Sequence, residues 1–118
     1  MGFSITARNE PSVYWTGDTV LYPAIETIIT DTKPEIIIIH ACGARWDGDL
    51  ITMDAAEAVA TCRLAPDAKV IATHMDSLDH ATVSRDELRR HSTEQGVSPH
   101  QLLIPLDGET LPLTSRQA

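Results

Sequence analysis

Hydrophobic and polar positions change period several times along this chain, and each change marks an element. Val13-Tyr14-Trp15 is rich in strand formers and stops at Gly17. Phe3-Ser4-Ile5-Thr6 alternates and runs into a turn at Asn9-Glu10-Pro11, so residues 3–15 read as a hairpin. Leu21, Ile25, Ile28 and Ile29 then recur at helical spacing, and Lys33-Pro34 ends that helix because proline cannot continue it. Ile36 to Ile39 is an unbroken apolar run, the pattern of a central strand covered on both faces. Residues 41–52 read as a loop. Asp54 caps the next helix, with Glu57 completing a capping box, and Ala55, Ala58, Val59 and Cys62 form its buried stripe. Residues 69–73 form a third long strand that delivers His74. Ser84 and Glu87 make a second capping box, opening a helix that fades near Gly96. A short last strand is expected at 101–105, and 106–118 is expected to be a hairpin or a loose tail.

The predicted order is two strands, then helix and strand in alternation. Such alternation implies an α/β fold with a largely parallel sheet. Chemistry in these sheets collects beyond the carboxyl ends of the strands. Asp18, His40 and His74 each follow a predicted strand, so they are expected along one edge.

At 118 residues the chain is one domain of ordinary size. A net charge of -8, with nine Lys and Arg, disfavours nucleic acid and an anionic membrane surface as partners. It leaves room for a bound cation, which supplies the missing positive charge. Cys42 and Cys62 have no tight spacing and read as reduced thiols of a cytoplasmic protein. The first residues show neither a basic region nor a long apolar stretch, so no signal peptide is read there.

Asp18 and His74 are the pair best suited to chemistry. A carboxylate oxygen and an imidazole nitrogen suit Zn²⁺ or another divalent first-row ion. Gly17 lets the backbone turn sharply beneath the carboxylate, and Thr19 is placed to orient it. The plainer alternative is that Asp18 caps the following helix and His74 is an ordinary strand-end histidine. His40 reads as a third ligand, as pocket lining, or as a strand-end hydrogen-bonding group. Asp76, Asp79 and His80 read as a local cluster with His74 or as a solvated loop. Arg45 reads as an anchor for an anionic substrate group or as a surface ion-pair partner. Trp46 reads as a cover for the site entrance or as simple packing.

Several stretches together resemble the second half of metallo-β-lactamase-fold hydrolases, in particular the branch containing L-ascorbate-6-phosphate lactonase-like proteins. They are Tyr14-Trp15-Thr16-Gly17-Asp18-Thr19, the run from Glu35 to His40, Gly43-Ala44-Arg45-Trp46, Ile51-Thr52-Met53-Asp54 and Ala72-Thr73-His74-Met75. The resemblance covers about residues 2–90. It implies the C-terminal half of an αββα sandwich, with residues 1–118 as one partial domain. It also implies that Asp18 matches the aspartate bridging two metal ions and His74 the last metal histidine, with Thr19, Met53 and Asp54 near the site. The metals of a complete enzyme would activate a bridging water for attack on a small-molecule ester, lactone, amide or phosphodiester.

The family's early His-x-His-x-Asp-His motif, and one further histidine before the aspartate, are not found in this sequence. The chain alone is therefore expected to bind metal weakly or not at all and to turn over poorly. A half sandwich would also leave wet the sheet face that meets its twin. At about 25 cal/mol per Å², exposing several hundred Å² forfeits several kcal/mol. Self-association, or pairing with an N-terminal half, is the expected remedy. A non-catalytic half-domain kept for dimerisation or partner binding is the alternative from another functional class. An unrelated flavodoxin-like domain is a third, and it lacks a convincing phosphate-cradling loop.

Overall fold

A computed structural model describes residues 1–76 and 81–113. Its main sheet has five strands, β1 (Phe3–Ile5), β2 (Val13–Trp15), β3 (Ile36–His40), β6 (Lys69–Thr73) and β7 (Leu102–Leu103), side by side in that order. β1 pairs antiparallel with β2, and every other neighbour is parallel. Three ten-residue helices carry the crossovers: α1 (Pro23–Thr32), α2 (Ala55–Leu64) and α3 (Arg85–Glu94). A small hairpin, β4 (Arg45–Trp46) and β5 (Asp49–Leu50), interrupts the loop expected at 41–52.

The helix boundaries follow local chemistry. α1 starts with Pro23 in its first turn, where a missing N–H costs nothing, and ends at Lys33 in the left-handed region. Its N-cap is Tyr22, with no side-chain cap, so Asp18 does not cap this helix. Asp54 caps α2 by accepting from the Glu57 N–H at 2.9 Å. The capping box expected there is incomplete, because the Glu57 carboxylate instead accepts from the Leu21 N–H at 3.2 Å. It thereby ties α2 to the segment before α1. Ser84 caps α3 by accepting from the Glu87 N–H at 3.1 Å.

Alternation along each strand sorts the sheet into two faces. Tyr14, Ile37, Ile39, Val70, Ala72 and Leu102 share one core with Ile25 and Ile29 of α1, Ala58, Val59 and Cys62 of α2, and Leu88 of α3. The three helices therefore cover this face. The opposite face carries a row set by the pairing register: Phe3 beside Trp15, Trp15 beside Ile38, Ile38 beside Ile71, Ile71 beside Leu103. None of these five belongs to the helix-side core. Among the described residues, no helix is long and apolar enough to cross a membrane. Residues 106–113 form no helix or strand, and 114–118 lie outside the described residues.

Candidate metal centre

The parallel register brings the carboxyl ends of β2, β3 and β6 to one edge. His40 pairs with Thr73, so His74 emerges one residue beyond β3's last position. Trp15 pairs with Ile38, and the chain turns three residues later into Asp18. The turn uses Gly17 at φ +70, and a side chain there would collide with the Met1 carbonyl. The ligand-type atoms of Asp18, His40 and His74 consequently lie within 4.8 Å of one another.

His40 sits at the centre of this cluster and is only 9% exposed. Its Nδ1 lies 2.6 Å from Asp18 Oδ1, and its Nε2 accepts from Trp15 Nε1–H at 3.1 Å. Its ring stacks on that of His74, with centroids 4.5 Å apart and planes 19° from parallel. Asp18 and His74 are both exposed. The hydrogen bond from His40 holds the Asp18 carboxyl below its ordinary range; partial burial opposes this, and the nearby imidazoles add a smaller pull downwards.

The donor set fits a divalent first-row ion. Bonds of about 2.0–2.2 Å put two ligands of one tetrahedral ion roughly 3.4 Å apart. A span of up to 4.8 Å is slightly wider. Asp18 and His74 are both exposed at this edge.

The other residues singled out from sequence take structural places. The Thr19 hydroxyl donates to the Val20 carbonyl at 2.9 Å, so the bond that orients Asp18 comes from His40 instead. Met53 is fully buried; its N–H donates to the His40 carbonyl at 3.2 Å, and its carbonyl accepts from Gly43 at 2.8 Å. Asp54 is the α2 cap. Arg45 spends Nη1 on the Gly48 carbonyl of its own hairpin at 3.2 Å. Trp46, on the same hairpin, is 73% exposed. Asp79 and His80 lie outside the described residues, while Asp76 is bound by Arg85 at 2.9 Å.

Two contributors, Trp15 and Arg85, become visible only in three dimensions. Trp15 reaches His40 because diagonal neighbours on one sheet face lie within range of a long aromatic side chain. The signal was available in the alternation of β2 and β3, once their register is known. Arg85 binds Asp76, Asp107 and the Pro105 carbonyl, fastening the segment after His74 to the start of α3. Its signal was a basic residue in a helix's first turn, where the dipole disfavours it.

Sheet order and helix placement together match a half of a metallo-β-lactamase fold, and the solved neighbours are metallo-hydrolases. The isothiocyanate hydrolase from Delia radicum gut bacteria aligns with TM-score 0.88 and 31% identity, covering 97% of this chain and 44% of that one. A possible metal-dependent hydrolase from Veillonella parvula DSM 2008 also gives 0.88, at 33% identity, covering 95% and 43%. The metallo-hydrolase Igni18 from Ignicoccus hospitalis KIN4/I shares the fold at TM-score 0.63 and 20% identity, over 84% of this chain and 39% of that one. UPF0173 protein YddR of Bacillus subtilis (strain 168) is 39% identical over 103 residues, which is 86% of this chain and 40% of YddR. The chain thus spans under half the length of these relatives. No family model matches it.

Proposed function

We propose that this chain is the C-terminal half of a metal-dependent hydrolase acting on a small molecule, and that it supplies Asp18 and His74 to a zinc centre. The observation that carries the reading is the meeting of a carboxylate and an imidazole, 56 residues apart in sequence, at one sheet edge. A bound divalent cation supplies Lewis-acid chemistry and activates water. The chain's own residues hold and orient the ligands: His40 steers the carboxylate and backs the His74 ring. The remaining ligands come from another half, whether covalently joined or separate, and this chain by itself is inactive. The solved neighbours' descriptions as metal-dependent or isothiocyanate hydrolases support the reading.

Calorimetric zinc titration tests it. The chain should bind zinc weakly, and Asp18→Ala and His74→Ala should each abolish measurable binding. Binding that survives both substitutions, or none in the unaltered chain, removes the site.

The same reading makes the row Phe3–Trp15–Ile38–Ile71–Leu103, exposed at Phe3, half-buried at Trp15, Ile38 and Leu103 and buried at Ile71, the surface that meets the other half or a second copy. An association module without catalysis is the reading that this row favours if zinc does not bind. Two unpaired buried cysteines suit a reducing, cytoplasmic setting.

A further inference from the structure

We propose that His40 is a positioning residue and not a metal ligand, and that Trp15 and Asp18, one at each ring nitrogen, fix the tautomer in which it does this work. The proposal rests on the assignment of Asp18 and His74 as ligands. An indole N–H can only donate, so His40 Nε2, 3.1 Å away, must present its lone pair to Trp15. In a neutral ring the proton then sits on Nδ1, which faces Asp18 Oδ1 at 2.6 Å and donates to it. Both ring nitrogens are thereby engaged, and neither lone pair is left for a cation. Oδ2 of Asp18 remains unbonded among the described residues and is the oxygen offered to the ion. The flat face of His40 meanwhile supports His74 at 4.5 Å. One side chain thus touches both ligands.

Trp15 is held in turn by Phe3, at 4.9 Å between ring centroids. The chain of contact runs from the edge strand β1 through Trp15 and His40 to Asp18. Metal-site carboxylates and histidines are commonly oriented by such outer partners, whose loss costs about 10–100-fold in metal affinity.

The test begins with the metal-free full chain. Long-range ¹H–¹⁵N correlation spectra of the imidazole rings distinguish the two neutral tautomers. His40 should be Nδ1–H in the unaltered chain, and Trp15→Phe combined with Asp18→Ala, which together remove the donor to Nε2 and the acceptor from Nδ1, should release it into a mixture. An Nε2–H or averaged ring in the unaltered chain overturns the proposal. On addition of zinc, His74 should show a metal-shifted nitrogen and His40 should keep its Nδ1–H; a metal-shifted His40 nitrogen overturns the proposal.

Affinity supplies the second arm. His40→Ala should weaken zinc binding by about 10–100-fold. His40→Asn, whose amide nitrogen stands where Nδ1 stood, should recover most of it. Equal loss in both variants is the result for a direct ligand and contradicts the proposal. If zinc does not bind at all, the hydrolase reading fails while the tautomer spectrum still decides the role of His40.

Discussion

Cys62 lies on the buried stripe of α2 at 2% exposure, and desolvation pushes its thiol up to about 11 from an ordinary 9.0. The folded state therefore favours the neutral thiol. Its contribution is fully present below the unfolded pKa and is lost as pH rises towards 11, because the unfolded chain releases its proton first. The loss amounts to about 2–3 kcal/mol. Urea melts should accordingly show stability falling between pH 9 and 11, and Cys62→Ala should flatten that slope. A thiol reagent at neutral pH should modify Cys62 only after unfolding. At this scale the sequence was informative where a residue's role is local. Gly17 under Asp18 is legible from Gly-Asp-Thr after a strand, and the φ of +70 is the physical reason for the glycine. The Trp15–His40 contact was not legible, because it depends on which residues face each other across two strands 20 residues apart.

Among the elements, caps and stripes were readable and short pieces were not. Asp54 and Ser84 stand where their side-chain oxygens meet backbone N–H groups three residues on. Asp54→Ala should cost about 1 kcal/mol. That corresponds to a melting temperature lower by roughly 3–5 °C in a calorimetric scan, and no change would show that the cap contributes nothing. The Glu57 box failed because the Leu21 N–H offered a tertiary partner that sequence spacing does not reveal. Burial raises the Glu57 carboxyl, the Leu21 bond lowers it to a lesser extent, and nearby Asp54 raises it again. The β4–β5 hairpin is not legible in the hydrophobic pattern, because two-residue strands carry no measurable period. Its turn, Asp47-Gly48, has both residues at positive φ, the geometry favoured by two-residue hairpins. Asp-Gly between Trp46 and Asp49 was the available signal.

For the whole molecule, the question is what lies against the sheet face that the helices leave alone. Phe3, the first residue of the apolar row, is 51% exposed, and Ile5, two residues on in the same edge strand, is 52% exposed. The exposed apolar end of this face, at β1, is where association is expected. Sedimentation velocity should show self-association of the chain at micromolar concentration, and Phe3→Asp should weaken it without lowering helix content. A monomer at every concentration would leave this face without a second copy. The sandwich half was legible because strand–helix alternation and the motifs agreed on it. The lactonase-like branch rests on motif likeness alone.

A cation shared by Asp18 and His74 is the proposal on which the rest depends. The most direct measurement is anomalous diffraction at the zinc edge from crystals of the chain grown with zinc. A peak should stand about 2.0–2.2 Å from a carboxylate oxygen of residue 18 and an imidazole nitrogen of residue 74. The imidazole of residue 40 should stay outside bonding distance. A peak bound elsewhere, with this edge of the sheet left empty, would contradict it.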